Sequence, residues 1–565
     1  MADADREVYK AIERRQREAL GETHDARIER ERGSHRTNQM YEFVPHPVDP
    51  SVPEAFVRAT TSQPAAQPDE GWSDLSATQP AAAADTVAEP PPDVVFNLSD
   101  ALAYAMKNGR DFQTAKEDLY LAALALTLER FLWTPRFAAD IQSEFVNWGQ
   151  ENSFDRAMSA VSQVAVEQRL PTGGTVTARI LNSLMRDLGR HITSGESGQA
   201  IIEANIPLLR GAGRVAYESR YQAERDLIYA ARNFETFRRS YLVDIAGDFF
   251  NLLSLESQIE SAIASEEAFK IDLERSQSLA DAERILQIEA DRARVQYLDA
   301  QNRVVAARVT YRNSLDAFKI RMGMPTETRL DVEDAELALT DPQVPEDEAI
   351  RTGLAYRLDL LNDLDAIDDA RRGVLVAKNN LLPDFNFSGS VSMDTDPNRH
   401  NSLSYNTERA VWRGMLDVEI PLQRKEERNQ YRSALITLHR AERQHEQAQD
   451  QVRLQVRQAL RRLEQARFSI RIQERNISIN DFRRQQAREN FQLGRLPSNR
   501  DVIEAENELR DARDRLAQGI SDYRQAILEF LRDTGTLRVD DDGQWVEGPD
   551  LTISKAPIER LEQRE

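Results

Sequence analysis

Two stretches of this chain match each other without a gap: residues 282–323, AERILQIEADRARVQYLDAQNRVVAARVTYRNSLDAFKIRMG, and residues 494–535, GRLPSNRDVIEAENELRDARDRLAQGISDYRQAILEFLRDTG. The residues that recur include the pairs Ala293 and Ala505, Asp299 and Asp511, Tyr311 and Tyr523, Phe318 and Phe530, and Gly323 and Gly535. An ungapped match of this length indicates that the chain contains two copies of one long unit.

Both stretches repeat small or apolar residues at alternating intervals of three and four, which is typical of a coiled-coil seam. The seam positions are Ala293, Tyr297, Ala300, Val304, Ala307 and Tyr311 in the first copy, and Ala505, Leu509, Ala512, Leu516, Gly519 and Tyr523 in the second. Because alanine and glycine hold many of these positions, the helix backbones can approach closely. This pattern favours long helices packed side by side over helices arranged around a wide core.

A second ungapped match joins residues 98–137 to residues 346–385. It pairs Pro135 with Pro383 and Phe137 with Phe385. Proline ends a helix because it has no N–H to donate. Each copy therefore predicts a short helix, a longer helix that ends just before a proline, and then a change of period.

After Pro383 the apolar residues recur with a period of two. Phe385, Phe387 and Val391 alternate with polar residues such as Asn386. Strands of about ten residues with one apolar and one polar face are what a membrane-spanning β-barrel requires. The same alternation also suits a soluble antiparallel sheet with one wet face. The alternation alone leaves both interpretations open.

The first copy contains more strand than the second. Pro207 lies 72 positions after Pro135 in the first copy, whereas Pro421 lies only 38 positions after Pro383 in the second. We attribute the difference to an extra strand hairpin around residues 160–188 in the first copy.

Both strand regions are followed by related motifs, PLLRGAGRVAY at residues 207–217 and PLQRKEERNQY at residues 421–431. Two very long helices follow, predicted at about 214–278 and 424–492, each roughly 100 Å long at about 1.5 Å per residue. The returning helices, predicted at 286–322 and 501–534, are about half as long. We therefore expect the returning helix to cover one half of each long helix and the helix before the strands to cover the other half.

These patterns predict a division of the chain into five parts. Residues 5–32 indicate a solvated polar helix with Val8, Ile12 and Leu20 as its sparse apolar points, and the Pro/Ala-rich composition of residues 45–92 is typical of a disordered linker. The predicted parts are an N-terminal helix and linker at 1–97, a first repeat at 98–325, an inter-repeat linker at 326–345, a second repeat at 346–537 and a polar C-terminal tail at 538–565.

Composition excludes several classes of function. The net charge of -22 over 565 residues disfavours nucleic acid as a partner, because phosphate binding requires basic faces. The chain has no cysteine, which excludes disulfide frameworks, thiolate metal sites and cysteine nucleophiles. The seven histidines have no metal-ligand spacing, and neither a phosphate-binding loop nor a nucleophile with its base can be assembled. We therefore predict that the protein is not an enzyme and binds neither cofactor nor metal.

The order of helix, strand hairpin, very long helix, tight turn and returning helix, given twice, resembles the TolC-like outer-membrane efflux protein family. Four motifs carry the likeness, which covers residues 98–537: LSDALAYAMKNGRDF at 98–112, PLLRGAG at 207–213, LLPDFNFSGSVS at 381–392 and FQLGRLPSNRDVIEAENELRDAR at 491–513. The resemblance implies a mainly α protein, whose internally duplicated, antiparallel coiled-coil hairpins form an α-helical tunnel. It also implies that the strands of three chains close one transmembrane β-barrel, to which each chain in the family contributes four strands. The extra hairpin of the first copy either enlarges this barrel or folds outside it, and the sequence leaves both alternatives open.

The resemblance also implies a function and partners. A homotrimer would form the exit duct of a tripartite efflux or type I secretion system, conducting substrates passively through the outer membrane. A periplasmic adaptor and an inner-membrane pump would be its partners, together with outer-membrane lipid. The first residues, MADADREVYK, lack the basic and apolar regions of a signal peptide. We therefore expect a signal peptide or a lipid-anchored N-terminus to precede this sequence if the protein is exported.

By the same resemblance the two helix-connecting turns form the periplasmic tip and contact the adaptor. The predicted contact residues are Gly494, Arg495, Leu496 and Ser498 in the second turn, and Ala282, Glu283 and Arg284 in the first. The family closes its tip with an arginine latch, for which Arg495 and Arg500 are the candidates. The simpler interpretation is that both segments are ordinary turns, with Gly494 at a positive φ.

The family narrows its tip with two acidic residues three apart in the context D-V-x-D/E-A, which Asp501 and Glu504 match. Three chains would bring six carboxylates to one level and attract cations. Alternatively, Asp501 is a helix N-terminal acid favoured by the dipole and Glu504 an ordinary solvated residue. The first copy has Glu289 and Arg292 at the matching positions, so only the second copy keeps the pair.

Two functions of other classes remain open at this point. The first is a structural coiled-coil fibre or scaffold protein whose strands form a soluble β head. The second is a periplasmic adaptor, but an adaptor would show a single helical hairpin, and the duplication disfavours it.

Overall fold

The computed structural model describes residues 2–21, 23, 24, 26, 92–147, 156–187, 194–334, 342–395, 405, 407–493 and 499–540. Nine helices and eight strands run through these residues in the order α1 Ala2–Leu20, β1 Val94–Phe96, α2 Leu98–Asn108, α3 Arg110–Phe131, β2 Arg136–Asn147, β3 Arg156–Arg169, β4 Thr175–Asp187, β5 Ser194–Pro207, α4 Glu218–Asp281, α5 Gln287–Met322, β6 Leu330–Val332, α6 Glu346–Tyr356, α7 Leu358–Asn379, β7 Asp384–Asp394, β8 Val411–Glu419, α8 Lys425–Gln492 and α9 Arg500–Asp533. Short 3₁₀ turns precede α4 and β8.

The helices occur as two equivalent sets, as the internal matches predict. The long helices α4 and α8 have 64 and 68 residues, and the returning helices α5 and α9 have 36 and 34. Their bounds agree with the predicted ones to within a few residues. None of the described helices is both long and apolar enough to span a membrane.

Six helices lie side by side in one layer, namely α3, α4, α5, α7, α8 and α9. In the half nearer the strands, α4 contacts α3 on one side and α7 on the other, and α7 contacts α8. In the far half α4 lies between α5 and α9, and α9 contacts α8. The prediction that two shorter helices share the length of each long one is therefore confirmed. Ion pairs reinforce the layer, for example from Arg225 and Arg232 of α4 to Asp365 of α7 at 2.8 and 2.7 Å.

The largest core lies where the shorter helices end against the middle of α4. Phe249 and Phe250 of α4 are buried there, together with Phe318 of α5 and Leu528 of α9. Both returning helices end at a glycine in the left-handed region, Gly323 with φ 81° and Gly535 with φ 73°. Glycine adopts this conformation without steric cost, which accounts for its place at both helix ends.

Six strands form one antiparallel sheet in the order β2-β3-β4-β5-β7-β8. Strands β2 to β5 come from the first repeat, and β7 and β8 come from the second. The hairpin β3–β4 corresponds to the extra hairpin predicted around residues 160–188. It lies within the sheet between β2 and β5. A separate parallel pair joins β1 to β6. Strand β6 lies within the predicted inter-repeat linker, and β1 closely follows the Pro/Ala-rich residues 45–92.

The sequence predicts a solvated N-terminal helix, but in the structure one face of α1 is buried. Val8 and Ile12 of α1 are buried because they lie one turn apart and form a narrow stripe against α3 and α4. The ring of Tyr9 lies 5.5 Å from that of Tyr120. Arg15 forms an ion pair of 2.9 Å with Glu224 of α4. The helix is therefore docked on the first repeat. The predicted linker at residues 45–92 lies outside the described residues except for Pro92.

A buried charged cluster on α4 holds both end segments of the described chain. Glu235 pairs with Arg238 at 3.1 Å and with Arg239 at 2.7 Å, and His24 lies 3.4 Å from the same carboxylate. Burial alone would raise the pKa of Glu235, but the two arginines outweigh it and hold that pKa below its ordinary value. Arg238 also donates to the carbonyl oxygens of Val539 and Asp540 at 2.5 and 2.8 Å.

Candidate functional site

The turns at the helical end far from the sheet meet each other. In the first, α4 ends at Asp281 and α5 begins at Gln287. Glu283 in this turn has a φ of 53°. In the second, α8 ends at Gln492 and α9 begins at Arg500.

A buried link joins the two turns. The Asn499 backbone N–H donates to the Glu289 carboxylate at 3.1 Å, and the Asn499 side-chain amide donates to the Glu289 carbonyl oxygen at 2.8 Å. Both residues are buried. Glu289 of the first repeat therefore satisfies a backbone donor at the start of the second repeat's returning helix.

The predicted tip residues fall into two groups. Ala282, Glu283 and Arg284 are exposed in the first turn. Gly494, Arg495, Leu496 and Ser498 lie outside the described residues, and so does the first of the two latch candidates. The second, Arg500, is exposed as the first residue of α9.

The structure places both predicted constriction acids, Asp501 and Glu504, on the exposed face of the first turns of α9. Together with Phe482, Arg483, Gln486, Ala487 and Ala505 they line a shallow groove between α8 and α9. Asp501 is exposed, whereas Glu289 at the matching position of the first repeat is buried and hydrogen-bonded. The equivalent position is therefore buried and hydrogen-bonded in the first repeat and exposed in the second.

Three charged residues near the tip escaped the sequence analysis. Arg488 of α8 lies 3.4 Å from Asp272 of α4 and 3.3 Å from Glu506 of α9. Burial raises the pKa of both carboxyl groups, and Arg488 offsets this only in part. Only the long-range packing of three helices brings these residues together, so no local pattern marks them.

One face of the sheet is apolar and uncovered. Phe137 and Ile141 of β2 are 80% and 81% exposed. The strand register places further exposed apolar side chains on the same face: Val164, Ile180, Ile202, Phe387, Trp412, Leu416 and Val418. An apolar face of this extent requires a partner that removes it from water.

The lateral edges of the chain are also open. Within the part of the chain that the structure describes, the outermost strands β2 and β8 each pair on one side only. The helices at the outside of the layer expose apolar side chains, which include Leu121 and Leu128 on α3, Val295, Val305 and Val309 on α5, and Leu454, Phe468 and Phe482 on α8. The open elements are thus β2, α3 and α5 on one side, and β8 and α8 on the other.

The sequence of the second repeat matches a family model. Residues 349–535 match the family model described as outer membrane efflux protein. The chain carries an outer membrane efflux protein domain. The resemblance inferred from the motifs is therefore confirmed. No curated protein matches the chain by sequence.

Solved structures share the fold of this chain. Among them is the outer membrane protein VceC from Vibrio cholerae, with 13% identity and a TM-score of 0.60 over 78% of this chain and 96% of that one. The CmeC outer membrane channel of Campylobacter jejuni has 14% identity and a TM-score of 0.59 over 82% and 88%. The open state of the MtrE outer membrane channel of Neisseria gonorrhoeae has 14% identity and a TM-score of 0.58 over 78% and 88%. These proteins have the mainly helical fold, with a β-sheet at one end, that the sequence predicts for this chain.

Proposed function

We propose that three copies of this chain form an outer-membrane efflux channel. Their sheets cross the outer membrane as one closed barrel, and their helices enclose one tunnel through the periplasm. The observation that carries this proposal is the pair of open edges, which extend along both the sheet and the helical layer of each chain. Closure on further copies of the chain pairs the free strand edges, which lipid cannot satisfy, and it leaves the apolar sheet face toward lipid.

The channel conducts its substrates passively, and an inner-membrane pump supplies the energy through a periplasmic adaptor. The fold shared with outer membrane channels supports this role. The adaptor contacts the two turns, through Ala282, Glu283 and Arg284 and through the segment that contains Gly494, Arg495, Leu496 and Ser498. Arg495 or Arg500 latches the tip.

The need for detergent during extraction and the mass of the extracted particle distinguish this channel from a fibre protein with a soluble β head. The channel requires detergent for extraction from membranes and has the mass of a trimer in native mass spectrometry. Val305→Glu and Phe468→Glu place a charge on the open helical edges and should weaken the trimer, because burying an unpaired charge is costly. Asp522→Asn, at an exposed site of α9, is the matched control. A monomer that dissolves without detergent would contradict the channel.

We further propose that Asp501 and Glu504 of three chains narrow the tip. Their exposure on the first turns of α9 supports this position. Replacing Asp501 with Asn and Glu504 with Gln should weaken block by multivalent cations and change the conductance in planar bilayers, because six carboxylates are removed from one level. Asp522→Asn again serves as the control. Unchanged single-channel behaviour would exclude these two residues as the constriction.

A further inference from the structure

The extra hairpin of the first repeat is built into the sheet. Strand β3 pairs with β2 from Arg136↔Glu167 to Asn147↔Arg156, and β4 pairs with β5 from Thr175↔Asn205 to Arg186↔Ser194. Strands β2 and β5 are therefore separated by two full-length strands and are not neighbours.

Ion pairs join the hairpin to both of its neighbours on the polar face of the sheet. Arg136 of β2 pairs with Glu167 of β3 at 2.8 Å. Arg179 of β4 pairs with Glu203 of β5. On the opposite face Val164 and Ile180 continue the exposed apolar surface of β2 and β5. The hairpin thus has the same two-faced character as the rest of the sheet.

The turn of the hairpin is anchored to the segment that leads into α4. Gly213 donates its backbone N–H to the carbonyl oxygen of Thr172 at 2.7 Å. Gly173 and Gly174 have φ of 101° and 87°. A β-carbon on Gly174 would lie 2.1 Å from the carbonyl oxygen of Asn205, so this turn approaches β5 as closely as glycine allows.

We propose that the sheets of three copies close one 18-stranded barrel whose bore is as wide as the helical tunnel beneath it. This inference rests on the proposed trimeric channel. Each chain contributes six strands to the sheet. With strands about 4.8 Å apart and tilted by about 40°, eighteen strands give a circumference of roughly 110 Å, whereas the twelve strands left without β3 and β4 give roughly 75 Å.

The helical layer has a matching circumference. Four helices lie side by side at every level of one chain, so three chains supply twelve. Helices pack about 8 to 10 Å apart, and twelve of them therefore occupy roughly 100 to 120 Å. An 18-stranded barrel continues such a tunnel without narrowing, and barrels of about this strand number leave an aqueous channel.

The polar face of the sheet, which lines the bore, has a surplus of acidic residues. By the strand register this face carries Asp140, Glu144, Glu167, Glu203, Asp384, Asp417 and Glu419 against Arg136, Arg169, Arg179 and Arg413. A lining of this sign attracts cations and repels anions. The substrates that fit this exit are bulky neutral or cationic solutes, whose passage the helical tunnel limits and the barrel does not.

Cysteine labelling tests the position of the hairpin in the full chain, which has no cysteine of its own. Thr177 and Ala178 are neighbours on β4 whose side chains point to the polar and apolar faces respectively. In proteoliposomes we expect a water-soluble maleimide-polyethylene glycol to shift Thr177→Cys on a gel and to leave Ala178→Cys unmodified. Equal labelling of the two, or none at Thr177→Cys in a protein that is a trimer, would overturn the inference.

A second comparison measures the width of the bore. Ser390→Cys on the polar face of β7 is introduced into the full chain and into a variant that lacks residues 156–187. We expect the largest polymer that reaches Ser390→Cys to be smaller in the shortened variant. Equal exclusion sizes in two trimeric proteins would overturn the wide barrel and leave the channel function standing. If the shortened variant does not assemble, the Thr177 and Ala178 pair decides alone. A full chain that is not a trimer would remove the channel and the barrel together.

Discussion

The two repeats have the same set of helices, but the first inserts four strands between its helices and the second inserts two. The repeats also differ at the tip, where the first provides the buried Glu289 and the second the exposed Asp501. The helical packing therefore constrains the duplicated sequence, whereas the two ends of the unit are free to diverge. Substitutions at equivalent positions of the two repeats test this interpretation.

Arg488 has no counterpart in the first repeat, where the matching residue is the buried Ser276. We expect Arg488→Met to lower the free energy of unfolding by about 3 kcal/mol, because it leaves Asp272 and Glu506 in the protein without their shared cation. Ser276→Ala should change it by less than about 0.5 kcal/mol, since the Ser276 hydroxyl makes no hydrogen bond within the described residues. Thermal unfolding in detergent, followed by circular dichroism, measures both. Equal losses would show that the two positions are equivalent after all.

Gly323 and Gly535 end the two returning helices with the same backbone conformation but different surroundings. A β-carbon on Gly323 would lie 2.1 Å from the carbonyl oxygen of Asn108, whereas one on Gly535 would lie no closer than 3.0 Å to Tyr356. Alanine at a left-handed position costs about 1 to 2 kcal/mol. We expect Gly535→Ala to cost about this much and Gly323→Ala to cost clearly more, because its backbone must shift. The unfolding midpoints of the two variants test the order, and a reversed order would contradict it.

Glu289 and Asp501 occupy matching positions in the two repeats. Glu289→Gln weakens the charged hydrogen bond from the Asn499 N–H and the 2.8 Å ion pair with Arg292. We expect it to cost about 1.5 kcal/mol and to speed hydrogen exchange at the start of α9. Asp501→Asn changes an exposed residue and should cost less than about 0.5 kcal/mol. Fast exchange in both variants would place Asp501 in a structural role as well.

The pH dependence of stability distinguishes the tip from the buried charged cluster around Glu235 on α4. The pKa values of Asp272 and Glu506 are raised in the folded protein, so the folded state binds their protons more tightly. Their contribution to stability is present at low pH and is lost as the pH rises through the raised values. Glu235 has a lowered pKa, so its contribution is lost as the pH falls. After correction for the intrinsic exchange rate, protection at the tip should increase as the pH falls from neutral through the raised pKa values. Protection around α1 should decrease once the pH falls below the ordinary glutamate value of about 4.5. Changes of the same sign at both places would contradict this assignment.

The sequence predicts this fold well where its pattern repeats over a long distance. The seam from Ala293 to Tyr311 and its copy locate the helices, and the change of period after Pro383 locates the strands. The extra hairpin is predicted from length alone, but its position between β2 and β5 requires the sheet. The docking of α1 was missed because Val8 and Ile12 form a narrow stripe whose partner is remote in sequence. The grouping of Asp272, Arg488 and Glu506 was missed for the same reason.

The hydrogen bonds from Arg238 to the carbonyl oxygens of Val539 and Asp540 affect the order in which the chain folds. These carbonyl groups lie about three hundred residues after the arginine that binds them, and the second repeat lies between the two. The first repeat therefore cannot complete its own interior until the second has been made and has returned to it. A product truncated before residue 539 leaves the buried Arg238 guanidinium without these two acceptors, so we expect its first repeat to be less stable.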